Sequence, residues 1–330
     1  MKLHIAKKHF ISLLKGTAIT FAGLFILFLL LNLIFPLKDK VEYSTIITDK
    51  DGEVINAFLT RDEKWRMKTE LNEISPLLRK TIIAKEDKYF HYHPGVNPFA
   101  VVRAALKNIF RMKRTSGAST ITMQVARALE PRKRNIGSKI IEMFRAYQLE
   151  WKYSKDEILQ MYLNLVPYGG NLEGVKAASL LYFSKNPDHL SLAEIAALSI
   201  IPNQPSSLVM GKHNDRIVTE RNRWLKKFAK EKVFAGKEIE DALAEPLTAT
   251  RSTVPHHAKH LSIKLFKKGG HFYKTHIDLN TQLKTEKIVE DYIRSQRLRN
   301  INNAAVVIID NKTHRVITYV GSANFADTAD

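Results

Sequence analysis

Two adjacent acids at the end of an apolar helical stretch are the first candidates for chemistry. Glu86 and Asp87 follow the run TIIAK and precede KYFHYHPG, a turn containing aromatic residues and histidines. Burial beside apolar side chains disfavours the ionised form of a carboxyl group, which is how proteins tune a general base or acid. The same pattern fits an ordinary helix terminus with two solvent-exposed acids, and this segment alone favours neither interpretation.

A turn of small residues further along the chain could bind an anion. Residues 116–127, SGASTITMQVAR, begin with small residues and hydroxyls and continue as a helix. The first backbone N–H groups of a helix have no partner within it, so they can bind a phosphate group. Gln124 and Arg127 are three residues apart and share a helix face with Thr120. An ordinary N-cap by Ser119 would explain the same turn without a ligand.

A lysine and a glutamate in the next helical stretch form another charged pair. Lys139 and Glu142 have a spacing that most often marks a surface salt bridge. They lie in the most basic part of the chain, because residues 103–155 carry thirteen Lys or Arg and only three acids. Such a concentration attracts phosphate on nucleic acid, lipid headgroups or a pyrophosphate substrate, although a solvated basic face has the same composition.

The elements that must position these residues are mostly helices. Hydrophobic periodicity predicts helices over residues 74–85, 98–110, 120–129, 138–151, 155–165, 174–183 and 191–201. Ser191 and Glu194 have the spacing of a capping box. Runs of β-forming residues around the turn DKDG predict a hairpin over residues 43–59. A buried-type strand over 304–309 and a second strand over 316–320 predict another hairpin.

The N-terminal region predicts a membrane anchor. Residues 16–37 contain no charged side chain and reach about 30 Å as a helix. Four lysines and no acid precede them, so the positive-inside bias places the N-terminus in the cytoplasm and the rest of the chain outside. A cleaved signal peptide is the alternative, but the apolar run is long for one and no small-x-small cleavage site follows it.

The whole composition excludes several classes of protein. Hydrophobic residues make up 45% and charged residues 26% of the chain, which is typical of a folded protein rather than a disordered one. The absence of cysteine excludes disulfides and cysteine-ligated zinc. The net charge of +19 fits an anionic partner. Nucleic acid is disfavoured, because the lobe faces outward and no nucleic-acid-binding motif occurs.

The ordered motifs together resemble one enzyme family. They are ED-x-x-F-x-x-H-x-G from Glu86, G-x-S-T-x-T-x-Q-x-x-R from Gly117, K-x-x-E from Lys139 and K-x-x-I-L-x-x-Y-L-N from Lys155. With PNQPS at residues 202–206, they strongly resemble the glycosyltransferase domain of class A penicillin-binding proteins, glycosyltransferase family 51. The resemblance covers roughly residues 40–330 and is strongest to the 1C-type subgroup.

The resemblance implies a fold and an activity. The fold is mainly α, a lysozyme-like helical glycosyltransferase lobe with one transmembrane helix, a short β-hairpin and a small α+β C-terminal remnant. The enzyme polymerises lipid II into peptidoglycan glycan strands at the outer face of a bacterial cytoplasmic membrane. It moves the growing chain, with inversion, from undecaprenyl pyrophosphate to the acceptor 4-hydroxyl. Other cell-wall synthesis proteins could also bind.

This interpretation divides the chain into five parts. They are a cytoplasmic tail (1–15), a transmembrane anchor (16–37), a β-hairpin linker (38–66), the glycosyltransferase domain (67–245) and the linker with the incomplete start of a transpeptidase domain (246–330). The transpeptidase serine motif S-x-x-K occurs only at residues 12–15. We therefore expect these 330 residues to form no covalent adduct with penicillin.

The resemblance also assigns roles to residues. Glu86 matches the catalytic base, and Glu142 matches the second essential acid, near the donor pyrophosphate. Substrate-binding motif positions are occupied by Asp87, Phe90, His93, Gly117, Ser119, Thr120, Gln124, Arg127 and Lys139. The two cations among them, Arg127 and Lys139, can stabilise a pyrophosphate leaving group. The sequence leaves open whether a divalent metal, Mg²⁺ or Mn²⁺, bridges Glu142 and the pyrophosphate.

Two departures and one alternative accompany the resemblance. Ser138 stands where the family usually has Arg, which bears on affinity for the donor more than on the chemistry. Gln160 stands where the family often has Glu, and we interpret it as surface variation. The alternative function is a catalytically degenerate, membrane-tethered scaffold, which a polymerisation assay distinguishes from an enzyme.

Overall fold

The computed structural model describes residues 2–111 and 119–325, and the side chains of residues 15–104 and 119–325. Most of this part of the chain is helical, which confirms the mainly α prediction. The helices are α1 (Lys2–Ile34), α2 (Pro76–Glu86), α3 (Pro98–Arg111), α4 (Ile121–Leu129), α5 (Ile136–Lys152), α6 (Lys155–Leu165), α7 (Val175–Phe183), α8 (Leu192–Ile200), α9 (Asn214–Lys230), α10 (Gly236–Ala244), α11 (Lys259–Phe266) and α12 (Leu279–Gln296). The strands are β1 (Thr45–Thr48), β2 (Val54–Phe58), β3 (Trp65–Arg66), β4 (Pro167–Gly169), β5 (Leu172–Glu173), β6 (Phe272–Lys274), β7 (Val306–Ile309) and β8 (Val316–Val320).

The chain forms two compact units, each made from two separate stretches. The anchor unit comprises Met1–Lys40 and His93–Ser154, and the main unit comprises Val41–Tyr92 and Lys155–Asp330. Both units are therefore discontinuous in sequence.

In the anchor unit, α5 packs against α4 on one side and against the end of α1 on another. Val96, Met123 and Ala146 form a small buried cluster between the loop before α3 and helices α4 and α5. The Phe28 ring meets the Phe144 ring edge-on with centroids 6.0 Å apart. The Phe25 ring lies 5.8 Å from that of Trp151. Aromatic contacts therefore hold α5 against the last turns of α1.

Polar groups of α5 also bind the chain where α1 ends. Arg145 donates a hydrogen bond of 2.7 Å to the carbonyl of Phe35, and Gln148 Nε2 donates one of 2.7 Å to Asn32 Oδ1. The last carbonyls of a helix have no partner within it, and the Phe35 carbonyl, just beyond α1, also accepts a hydrogen bond from Gln148 Nε2. Lys152 and Tyr153 both donate to Asp39 just beyond the helix.

α1 contains a segment suited to crossing a membrane. Among the described residues, Lys15–Ile34 is the single helical stretch long and apolar enough, with a mean hydropathy of 2.4 and no buried residues in it. The predicted segment 16–37 overlaps it, but the helix ends at Ile34, ahead of Pro36. A proline disfavours helical backbone at the residue before it, which accounts for the earlier end.

The core of the main unit lies between α2, α8, α9 and α10. Its buried cluster consists of Leu192, Ala193, Ala196, Leu225, Phe228, Phe234, Ile239 and Ala242. Ser191 accepts a hydrogen bond from the Glu194 N–H and Glu194 accepts one from the Ser191 N–H, so the predicted capping box is confirmed. Since α2 packs against α8, this core supports the helix that ends at Glu86.

Both predicted hairpins are present, with two differences. β1 and β2 pair antiparallel, and β6 adds to β1 in parallel, so a segment more than 200 residues away completes a three-stranded sheet. β7 and β8 also pair antiparallel. The prediction that β7 is a buried-type strand is wrong, because Val307 and Ile309 are 52% and 53% exposed. α12 packs against β8, which leaves those side chains on the uncovered face.

Candidate active site

Glu86 is the last residue of α2, and its side chain is withdrawn from solvent. Ser75 caps the start of this helix by accepting a hydrogen bond from the Leu78 N–H, and Pro76 occupies the first helical position. The Glu86 side chain is only 7% exposed, and Asp87 is buried as a whole residue. The interpretation of these two residues as solvent-exposed acids at a helix terminus is therefore wrong.

The Glu86 carboxylate accepts hydrogen bonds from two separate parts of the main unit. Lys85 Nζ donates a hydrogen bond to Oε1, and Asn203 Nδ2 lies 3.3 Å from the same oxygen. Tyr168 is fully buried, and burial, together with the negative charge of Glu86, raises the pKa of its phenol. The carboxylate thus lies in a low-dielectric setting with oriented donors, which suits a base.

Phe90 anchors the turn that follows Glu86. Its ring is fully buried, its N–H donates to the Asp87 carbonyl, and the Lys155 ammonium lies 4.6 Å from the ring centroid. The aromatic position of the motif therefore fixes the backbone after the candidate base. Lys155, the first residue of the YLN-containing block, contributes to this through a cation–π contact.

In the anchor unit, Thr120 joins the start of α4 to the HPG turn. Its hydroxyl accepts a hydrogen bond from the Met123 N–H and donates one of 2.5 Å to the Gly95 carbonyl. The N-cap is therefore Thr120, and the interpretation of Ser119 as the cap is wrong. Gly95 has φ +85°, and a Cβ there would lie 2.9 Å from the Ala146 carbonyl oxygen, so the motif requires glycine. His93, two residues earlier, is also buried.

Lys139 links the small-residue turn to Glu142. Its ammonium donates to Ser119 Oγ at 2.7 Å and to Glu142 Oε2 at 3.0 Å. The Glu142 side chain is 11% exposed, so this is a half-buried pair rather than an ordinary surface salt bridge. The structure thus brings three of the predicted residues, Ser119, Lys139 and Glu142, together.

Gln124 and Arg127 both lie half-buried on α4. Arg127 forms no ion pair with the side chains that the structure describes, which leaves its guanidinium available to a ligand. Gly117 lies outside the described residues.

Ser138 is in the first turn of α5, where its N–H donates to Asn135 Oδ1 and its hydroxyl donates to the Lys133 carbonyl. Asn135 is therefore the N-cap of α5, and the Ser138 hydroxyl binds the loop that precedes the helix.

No cluster of three or more His, Asp or Glu side chains suited to a metal ion occurs within residues 15–104 and 119–325. Mg²⁺ usually binds through one or two carboxylates together with substrate phosphates. Glu142 is the carboxylate paired with Lys139, and it is the residue that would hold such an ion.

The YLN block has a structural role that the sequence indicated only as packing. Asn164 is buried, and its side chain accepts from the Thr69 N–H and donates to the Thr69 carbonyl, both at 2.9 Å. Gln160 has a comparable role, although its hydrogen bonds are partly exposed to solvent. Its side chain accepts a hydrogen bond from the Leu71 N–H and donates one to Glu70. Gln160 is therefore more than surface variation.

Asn164→Ala is expected to destabilise the main unit. It leaves the buried N–H and C=O of Thr69 without their partners, at about 1–3 kcal/mol for each group. We expect the free energy of unfolding to fall by about 2–4 kcal/mol and the melting temperature to fall by several degrees. Thermal unfolding in detergent measures this. The matched control is Gln160→Ala, which loses similar bonds in partial solvent, and an equal loss in both variants would contradict the prediction.

Three residues around Glu86 were not predicted as site residues. Lys85 gave a weak signal, a lysine inside the apolar run TIIAKED. Asn203 lies in the PNQPS segment, which the sequence marked without giving it a role. Tyr168 had no local signal, because its place near Glu86 depends on the fold.

Comparison with known proteins agrees with this arrangement of motifs. A family model described as Transglycosylase matches residues 51–229. Penicillin-binding protein 1C of Escherichia coli (strain K12) is 34% identical over 319 residues, covering 95% of this chain and 41% of that protein. Penicillin-binding protein 1A of the same strain is 37% identical over 216 residues, covering 64% of this chain and 25% of that protein. Penicillin-binding protein 4 of Bacillus subtilis (strain 168) is 32% identical over 213 residues, covering 64% and 34% respectively.

Among solved structures, penicillin-binding protein 1A from Haemophilus influenzae matches with a TM-score of 0.37 and 20% identity, covering 83% of this chain and 34% of that one. The family model covers more than half of the present chain, so the chain belongs to the transglycosylase family. The chain spans less than half the length of the relatives described here.

Proposed function

We propose that this chain is a peptidoglycan glycosyltransferase that polymerises lipid II into glycan strands. The observation that carries the proposal is the buried Glu86 carboxylate, held by Lys85 and Asn203 at the family's base position. The transglycosylase family assignment supports the reaction class. A degenerate scaffold would not need to preserve a buried, oriented carboxylate, because an ionised buried side chain is costly.

In the proposed reaction, one bond forms and one breaks at the anomeric carbon of the donor. The acceptor 4-hydroxyl oxygen bonds to C1 of the donor sugar and its proton passes to Glu86. The bond from C1 to the pyrophosphate oxygen breaks, and undecaprenyl pyrophosphate leaves with the electron pair. Arg127 and Lys139 neutralise the charge that develops on this leaving group.

The test of the function is polymerisation of a lipid-linked disaccharide-pentapeptide by the purified chain in detergent or vesicles. Glycan strands longer than one disaccharide support the proposal, and unchanged substrate favours the scaffold.

A parallel reaction with EDTA tests whether the activity needs a divalent metal. Loss of the activity on chelation and its recovery with Mg²⁺ or Mn²⁺ would show that the activity needs a divalent metal, for which Glu142 would be the candidate ligand and which would add positive charge beside the pyrophosphate.

We further propose that the chain is anchored in the bacterial cytoplasmic membrane. Ile136, Ile140, Tyr147 and Trp151 form an exposed apolar stripe along α5, and their spacing keeps them on one helix face. Trp151 also touches Phe25, which lies inside the segment suited to crossing a membrane. This stripe suits the acyl and headgroup region of a bilayer, where tryptophan is favoured.

The proposed orientation can be tested cleanly, because the chain has no cysteine. The four lysines before the apolar segment place the N-terminus inside by the positive-inside bias. We therefore expect a membrane-impermeant maleimide to label Lys268→Cys in intact spheroplasts and to label Lys8→Cys only after permeabilisation. The reverse pattern would invert the topology and remove access to an outward-facing lipid substrate.

A further inference from the structure

Lys85 is a buried cation whose position is set by a distant part of the chain. Its side chain is 1% exposed, and its Nζ lies 5.2 Å from the centroid of the Trp224 ring on α9. Burial of an ammonium group is costly unless it is paired, and the partner here is Glu86 Oε1. The Lys85 ammonium thus lies between the Trp224 ring on α9 and the Glu86 carboxylate at the end of its own helix, α2.

The contact between Lys85 and Glu86 does not follow from their adjacency. Consecutive residues of a helix point in different directions and do not face each other. The lysine must therefore fold back along the end of α2, and the Trp224 ring provides a surface for its ammonium to do so. The pairing is a product of tertiary packing, in which the main-unit core brings α9 to the end of α2.

The Oε1 atom of Glu86 is where the orienting contacts converge. Lys85 and Asn203 both place donors on this oxygen. Together they determine where this oxygen lies at the end of α2.

We propose that Lys85 is a positioning residue that orients the Glu86 carboxylate for proton transfer. The proposal rests on the proposed function, since it gives Lys85 a role only through the base. Lys85 itself touches neither substrate in this proposal. This positioning role differs from a general effect on stability. Loss of the Lys85 charge should not lower the rate further once Glu86 can no longer act as a base.

The experiment is a double-mutant cycle on the polymerisation rate. We expect Lys85→Met, which keeps the length of the side chain and removes its charge, to lower kcat about tenfold or more with KM changed less than about twofold. Lys85→Arg should recover most of the rate. In a Glu86→Gln background, Lys85→Met should lower the residual rate no further, because contacting residues that act as a unit are not additive.

The matched control is Lys227→Met. The Lys227 ammonium lies 4.2 Å from the same Trp224 ring, and its ion-pair partner is Glu231, so this variant removes a cation from the ring without touching the base. We expect its kcat to equal that of the wild type. A similar loss in Lys227→Met would show that the Trp224 cluster acts only through stability.

The outcomes separate this proposal from the function on which it rests. A wild-type chain that does not polymerise the substrate counts against the function. If the wild type is active and Lys85→Met is equally active, the proposed role of Lys85 is overturned. The role is also overturned if Lys85→Arg fails to recover the rate, or if Lys85→Met lowers the rate further in the Glu86→Gln background. Where Lys85→Met does not fold, as judged by thermal unfolding, Lys85→Gln takes its place in the cycle.

Discussion

Glu86→Gln is expected to lower polymerisation by at least about a hundredfold, the usual scale for the loss of a general base. Glutamine keeps the size of the side chain and an oxygen that can accept from Asn203, but it cannot take the proton of the acceptor hydroxyl. The rate of glycan-strand formation from the lipid-linked substrate measures the effect. A rate near that of the wild type would show that Glu86 is not the base.

The control for this variant is Glu231→Gln, the same substitution in the same unit at a more exposed site. Glu231 pairs with Lys88 at 3.1 Å, and its side chain is 31% exposed. We expect less than a twofold change in rate there. Because Glu86→Gln also leaves the Lys85 ammonium without its counter-charge, thermal unfolding of both variants should accompany the rates, so that loss of chemistry is distinguished from loss of fold.

Arg127→Met is expected to lower kcat by about a hundredfold, the scale found when one donor to a developing negative charge is removed. Lys139 is already engaged by Ser119 and Glu142, whereas Arg127 forms no ion pair with the side chains that the structure describes. Steady-state rates on the lipid-linked substrate measure the loss. We expect Arg127→Lys to recover only part of the rate, because lysine lacks the planar fork that binds phosphate oxygens in pairs.

The control for Arg127 is Arg223→Met, at an exposed arginine whose partner is Glu220. Its rate should match the wild type. If Arg127→Met kept its kcat while Lys139→Met lost it, the leaving group would be neutralised by the lysine alone, and the assignment of Arg127 to that role would be wrong.

Local patterns were sufficient to predict many of the helices and the hairpin turns. α6 begins and ends where the periodicity of residues 155–165 predicts, and the capping box at Ser191 is present because its two side chains are neighbours in the sequence. Hydrophobic periodicity and capping depend on residues within one or two turns, and this information is contained in the sequence window itself.

Features that depend on distant segments could not be predicted in this way. Ser119 and Thr120 are both good capping residues, and the choice of Thr120 depends on the Gly95 carbonyl that its hydroxyl also binds. The burial of Glu86 depends on Asn203 and on the packing of Lys85 against Trp224. Each of these contacts joins elements that are far apart in sequence, so no local pattern records it.

The attachment of α5 to the end of α1 fixes how far each residue of α5 lies from that end. Arg145 donates a hydrogen bond to the Phe35 carbonyl just beyond α1, and Lys139 lies six residues earlier on the same helix, about 9 Å away at about 1.5 Å per residue. The distance between Lys139 and the end of α1 is therefore set by a single helix. Under the proposed function, a substrate whose pyrophosphate is tied to a lipid tail can reach Lys139 while its tail stays among the lipids, so each round of synthesis can begin with the carrier still in the bilayer.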